Sequence, residues 1–236
     1  MSSTDYTFAF QPIVDPAQPA IVAYEALVRG PAQQAACWVM DQHRGDELLR
    51  FDIEARRRAI VLAEQLGLAC DLHLNLLPQG LAAFGPVALQ STVDMAQHCG
   101  IAPQRLVLEI SESSVIHDLA AFVARANHFK ALGLRFAIDD FGAGHAGLSL
   151  LADFQPEFIK LDMKLVKDVS TKGPRQAIVR GILRTSQDLG IDVVAEGVEA
   201  LDEFEWLRDE GVALFQGFLF AHPAIEALPG VHFPDV

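Results

Sequence analysis

The feature that most constrains this chain is a regular alternation of short apolar runs with longer amphipathic stretches. Eight runs rich in Val, Ile, Leu and Phe lie near Phe8–Val14, Ile21–Val28, Asp71–Leu76, Leu106–Ile110, Leu134–Asp139, Phe158–Leu161, Asp192–Ala195 and Leu214–Phe218. Runs of this length and β-branched content read as buried strands. Between them Glu47–Leu66, Val87–His98, Leu119–Leu132, Arg175–Leu189 and Leu201–Asp209 carry apolar residues at helical spacing. Gly67, Gly100, Gly133, Gly190 and Gly211 stand just past their last apolar turns, where a left-handed residue can satisfy loose helix carbonyls. Strand and helix alternating in this way build a parallel sheet with helices outside it, and eight strands in 236 residues suffice to close that sheet. One junction breaks the pattern. Asp15–Ala20 is too short for a parallel crossover, which needs about a dozen residues, so the first two strands pair antiparallel. The expected fold is an α/β (β/α)8 barrel with its first strand reversed. No Pro/Gly/Ser-rich linker or charge run divides it, so residues 1–236 read as one domain.

Composition removes several classes of function. Hydrophobic residues at 51% and charged residues at 21% exclude disorder, collagen-like repeats and coiled coil. The balance of 18 Lys plus Arg against 31 Asp plus Glu, a formal charge of −13, repels phosphate backbones, so long nucleic acid is not an expected partner. Cys37, Cys70 and Cys99 are odd in number and lack CxxC spacing, which reads as buried free thiols in a reducing compartment. The opening Met1–Tyr6 has no basic or apolar secretion signal, and no stretch approaches the ~20 apolar residues of a membrane span. A cytoplasmic protein with no membrane insertion is expected.

In such barrels reacting groups gather at the carboxyl ends of the strands. Here the later runs end in, and the second run contains, polar residues: Glu25, Asn75, Glu109, the pair Asp139 and Asp140, Lys160, Glu196 and Gln216. Five carboxylates brought to one rim raise one another's proton affinity unless cations neutralise them. An oxygen-only donor set suits Mg²⁺ or Mn²⁺ better than zinc, which usually recruits His or Cys. The adjacency of Asp139 and Asp140 points to two ions, and two ions ~3.5–4 Å apart clamp a phosphoryl group. Metal-assisted phosphodiester hydrolysis is one reading of these residues. Enolase-like proton abstraction with Lys160 as base is the other. The eight His residues show no HxH or HExxH spacing, and His73 reads as a core histidine.

The strings Tyr24-Glu25-Ala26-Leu27-Val28-Arg29, Leu108-Glu109-Ile110-Ser111-Glu112, Asp139-Asp140-Phe141-Gly142-Ala143-Gly144, Ile159-Lys160-Leu161-Asp162, Ala195-Glu196-Gly197-Val198-Glu199 and Phe215-Gln216-Gly217-Phe218 occur in the order of the EAL family. From about Phe8 to Pro223 the chain resembles cyclic di-GMP phosphodiesterases. The resemblance implies a TIM-like barrel with one antiparallel strand, hydrolysis of cyclic di-GMP to linear pGpG with two Mg²⁺ or Mn²⁺ ions, and a homodimer. It implies Glu25, Asn75, Glu109 and Asp139 as ligands of one ion, and Asp139, Asp140 and Glu196 as ligands of the other. Lys160 would stand near the nucleophilic water, with Glu196 as a base and Gln216 in the metal and water network. Gln11, Leu27 and Arg29 would contact the dinucleotide. Glu112 would anchor the loop after the fifth strand, and Asp162 and Glu199 would support Lys160 and the rim.

Four residues depart from the family's commoner choices: Gly30 for an aromatic residue, Ser111 and Ala143 for threonines, and His145 for a tyrosine. None is a proposed ligand. A receptor that binds cyclic di-GMP or a protein partner without turnover is the alternative from another class. Loss of a ligand or of the lysine would mark it, and here all are present.

Overall fold

The computed structural model describes residues 5–144 and 147–234 of the chain. Strands β1 (Thr7–Asp15) and β2 (Ala20–Arg29) form an antiparallel hairpin in which Gln11 lies opposite Glu25. Then β3 (Asp71–Asn75), β4 (Leu106–Ser111), β5 (Arg135–Phe141), β6 (Phe158–Leu161), β7 (Asp192–Ala195) and β8 (Leu214–Phe215) follow in parallel order from β2. The sheet closes through β1, which pairs antiparallel with β8 at Val14 and Phe215 as well as with β2. This is the expected TIM-like barrel with its first strand reversed. A two-residue strand β9 (Ala224–Ile225), absent from the sequence reading, adds to β1 at Ala9 and Phe10.

Helices α2 (Asp46–Gln65), α4 (Val87–His98), α5 (Leu119–Ala131), α8 (Gly173–Leu189) and α9 (Leu201–Asp209) lie where the periodicity places them. All five glycine stops have positive φ, from 69° to 103°, the conformation a helix C-terminus asks of them. Four short helices carry too little periodicity to be read from sequence: α1 (Ala36–Met40), α3 (Pro78–Phe84), α6 (Gly147–Asp153) and α7 (Met163–Val166). The last run, expected to extend to Phe218, leaves the sheet after Phe215. Gln216–Leu219 instead docks on Val198, whose N–H donates to the Gln216 carbonyl and whose carbonyl accepts from Leu219. A Cβ at Gly217 would run into the Val198 backbone, so this approach requires glycine. The fifth run extends past Asp139 to Phe141. The three thiols are free, as expected, but not buried: Cys37 is exposed and Cys70 and Cys99 are half-buried.

The barrel interior is built in layers. Ile13, Ala23, Val107, Ala137, Phe158 and Val194 form a small buried apolar cluster of their own. Side chains two residues apart share a face of a strand. Each parallel strand of that cluster therefore carries, one step toward its carboxyl end, a polar residue directly above: Glu25, Glu109, Asp139, Lys160 and Glu196. In the reversed β1 the order inverts, and Gln11 precedes Ile13 by two. One alternation thus plugs the bottom of the barrel and charges its top.

Candidate functional site

The upper layer converges on one ammonium group. Lys160 is fully buried, and its Nζ lies 2.6 Å from Glu196, 2.8 Å from Glu109, 3.0 Å from Glu25 and 3.4 Å from Asp139. Burial opposes its charge, but Asp139, Glu109, Glu196 and Glu25 together lift its pKa well above the lysine range. An ammonium ringed by carboxylates is held in its charged form, a state suited to stabilising negative charge rather than to taking a proton, which disfavours the enolase-like reading.

One ammonium does not neutralise four carboxylates. Burial pushes Glu25 up, yet Lys160 and the Gln216 amide overcome it and hold its pKa at about 2. Glu109 is driven well above the ordinary range by burial and by the charge of Glu25. Glu196 is driven up by burial, with Asp139 and Glu25 adding to it against the pull of Lys160. Burial, then Asp139 and Asp162, raise Asp140 to about 6. This cluster favours protons or cations over bare charge.

Three observations show that the residues fit divalent cations. One carboxylate oxygen from each of Asp139, Asp140 and Glu196 lies within 4.8 Å of the others. At an effective dielectric of ~20, each ionised pair at that separation repels by about 3 kcal/mol, an upper bound for exposed Asp140, which solvent screens. Glu109 Oε2 is buried with no hydrogen-bond partner among the described residues. Asn75 uses its amide nitrogen on Glu25 at 3.4 Å, which turns its oxygen into the atom that could meet a cation. The donors are hard oxygens, the set that Mg²⁺ and Mn²⁺ prefer.

Around this centre Gln216 donates to Glu25 at 2.8 Å and to Gln11 at 3.4 Å, while Gln11 donates to the Ala221 carbonyl at 3.3 Å. Leu27 lines a cavity of about 370 Å³ that runs from Glu25, Asp139 and Asp140 to an apolar wall of Met40 and Phe51. Arg29 donates to the Val28 carbonyl and is not among the partners of the acids. Glu112 is buried and accepts from the backbone N–H groups of Gly142, Gly144 and Gly147 at 2.8–3.0 Å. Asp140, at an irregularity of β5 just before the loop so held, has φ +55°. Asp162 caps α7 through the Lys164 N–H, and Glu199 is exposed and gives its N–H to Glu203; neither side chain pairs with Lys160. Ser111 shares a hydrogen bond with Ser113. Gly30 is overlaid by Trp38, so close that a side chain there would collide with the indole. His145 lies outside the described residues.

Sequence reasoning missed four contributors. Glu203 accepts from Asp168, Glu199 and Ala200. Arg56, paired with Asp52 at 2.5 Å, and Asp52 itself bracket the turn after β3: Arg56 reaches the Asn75 carbonyl and Asp52 accepts from Leu77. Both lie on α2 four residues apart, the spacing of an ordinary surface pair, so only their burial distinguishes them. His73 touches Glu109 at 2.7 Å.

The model of the EAL domain family matches residues 1–223. The chain is 35% identical to the blue light- and temperature-regulated antirepressor BluF of Escherichia coli, over 97% of this chain and 57% of that protein. It is 30% identical to the cyclic di-GMP phosphodiesterase RocR of Pseudomonas aeruginosa, over 80% of this chain and 46% of RocR. The chain thus spans about half the length of these curated relatives. Among solved structures, Klebsiella pneumoniae BlrP1 in complex with manganese and cyclic di-GMP superposes with a TM-score of 0.91 at 39% identity, covering 98% of this chain and 59% of BlrP1. With a family match spanning nearly its whole length and that family's ordered motifs standing on one barrel rim, the chain belongs to the EAL domain family.

Proposed function

We propose that this chain is a cyclic di-GMP phosphodiesterase that opens one phosphodiester linkage to leave linear pGpG, using two Mg²⁺ or Mn²⁺ ions. The observation that carries the reading is the convergence of four strand-borne carboxylates on one buried ammonium, beside the group Asp139, Asp140 and Glu196. Glu25, Asn75, Glu109 and Asp139 would hold one ion and Asp139, Asp140 and Glu196 the other. Such ions, when bound, polarise phosphoryl oxygens and lower the pKa of bound water. Glu196 takes the proton of the attacking water as the water oxygen bonds to phosphorus. The P–O3′ bond breaks and the departing ribose oxygen takes up a proton from solvent, to which Glu196 returns its own. Lys160 stays charged throughout and faces the growing negative charge, a preorganised stabilisation in a buried site. Gln216 fixes Glu25, Gln11 fixes Gln216, and Leu27 and Arg29 meet the dinucleotide along the cavity wall. Glu112 holds the Asp140 loop, and Asp162 and Glu199 support the rim. The same reading makes residues 1–236 one functional unit of a cytoplasmic homodimer.

Incubation with cyclic di-GMP and Mn²⁺, followed by chromatographic separation of pGpG, tests it. EDTA should abolish product and added Mn²⁺ restore it; turnover indifferent to chelation overturns the two-ion reading. The description of BluF as an antirepressor favours a second reading, a binding module without turnover. Saturable cyclic di-GMP binding with no product in Mn²⁺ would select it.

A further inference from the structure

We infer that His73 is a positioning residue that sets Glu109 as a metal ligand, an inference that rests on the phosphodiesterase reading above. His73 is the central residue of β3, 3% exposed, in register with Glu25 on one side and Val107 on the other. Its Nδ1 lies 2.7 Å from Glu109 Oε1, and the same oxygen lies 2.8 Å from Lys160 Nζ. A metal ligand is an ionised carboxylate, which only accepts, so with Glu109 in that state Nδ1 carries the hydrogen that meets Oε1. Two donors pin one oxygen of Glu109. The other, Oε2, is buried with no partner among the described residues, as a ligand atom awaiting a cation must be.

Lys160 alone cannot do this. Its three hydrogens serve four carboxylates at 2.6–3.4 Å, so its hold on any one of them is shared. His73 gives Glu109 a donor of its own. The imidazole is packed against Phe158, ring centroids 5.7 Å apart, which fixes the direction of Nδ1. Groups that touch a metal ligand from behind in this manner orient it, and their loss typically costs about 10–100-fold in metal affinity or activity.

The test compares His73→Leu, which keeps the bulk and removes the donor, with His73→Asn, whose amide N–H stands near the position of Nδ1. Mn²⁺ uptake is followed by the loss of the free-ion EPR signal, alongside thermal melting and pGpG formation. His73→Leu should weaken Mn²⁺ binding by about 10–100-fold and lower turnover at limiting Mn²⁺, with recovery at excess Mn²⁺. His73→Asn should regain most of the affinity. Wild-type affinity in His73→Leu, or equal loss in both variants, overturns the inference. Should leucine not fold, His73→Val serves as the donor-free variant under the same criteria. A wild-type protein that takes up no Mn²⁺ overturns the metal reading itself, a result distinct from either.

Discussion

Two buried carboxylates that hold neighbouring loops of the barrel make the same bonds and carry different burdens. Glu112, at the end of β4, accepts three backbone N–H groups from the loop after β5. Glu203, in the first turn of α9, accepts three from the loops after β6 and β7. The acids beside them are held differently. Glu196 follows β7 directly and its N–H bonds to the Leu161 carbonyl, while Val198 N–H bonds to Gln216, so Glu196 stays on the sheet ladder without Glu203. Asp140 gives its N–H to the neighbouring Asp139 side chain, sits at φ +55°, and heads a loop whose next three N–H tethers end on Glu112. Equal hydrogen bonding therefore predicts unequal function: Glu112 holds a ligand, whereas Glu203 holds a fold.

The largest effect is expected from Glu112→Ala. A hydrogen bond to a charged group is worth ~1.5–3 kcal/mol, and three on one carboxylate are not additive. Mn²⁺-limited turnover should fall about 10–100-fold, corresponding to ~1.4–2.8 kcal/mol, and recover in part at excess Mn²⁺. Gly147→Ala offers an independent route to the same defect, since its Cβ would stand 2.9 Å from Glu112 Oε1 and 2.7 Å from the Phe141 ring. Melting curves beside Mn²⁺ titrations check both. A loss of stability with an unchanged metal requirement would make Glu112 an ordinary cap and erase the contrast.

The contrast also explains what was legible in the sequence. Glu112 falls within an ordered string beside an apolar run, and the glycines opposite it are visible as glycines. Glu203 looks like any acid in a first helical turn, because its targets lie on other loops, including Asp168, 35 residues away. The strands were readable because burial on both faces leaves continuous apolar runs. The polar layer was readable because it falls at period two on those same runs. What escaped was whatever needs three dimensions: the Asp52–Arg56 bracket around Asn75, the His73 contact with Glu109, and the departure of Gln216–Phe218 from the sheet, which depends on Val198.

A smaller effect is expected from Glu203→Ala. It removes the acceptor shared by Glu199 and Ala200 at the start of α9 and the tie to Asp168. The cost should be about 2–3 kcal/mol, a fall of roughly 4–12 °C in Tm for a chain of this size. Turnover below the transition, at saturating Mn²⁺, should change by less than about threefold, because Glu196 keeps its ladder bonds. Calorimetry paired with product formation checks this. A metal defect as large as that of Glu112→Ala would show that Glu203 also holds a ligand.

The smallest effect is the share of the pH dependence that Asp140, on the Glu112 side, contributes. Asp140 is raised to about 6 by partial burial and by Asp139 and Asp162, whereas an unfolded Asp titrates near ~3.9. Between those values the folded chain binds a proton that the unfolded chain does not. Without metal, the Asp140 contribution to stability therefore increases as pH falls through about 6 and is absent above it. A cation competes with that proton, so Mn²⁺ should bind more tightly as pH rises through about 6, by at most about tenfold per pH unit from this group. Glu109 and Glu196, also raised, add slopes of the same sign. His73, lowered to about 3 by burial and Lys160, adds the opposite trend to stability, because the unfolded chain takes up its proton below ~6.5. The Asp140 share is isolated by difference. Mn²⁺-induced Tm shifts measured from pH 5 to pH 8 should be flatter in Asp140→Asn than in wild type, and Glu203→Ala should retain the wild-type slope. An unchanged slope in Asp140→Asn would place the acid sensitivity deeper in the barrel, on Glu109 and Glu196, and detach it from the loop that Glu112 holds.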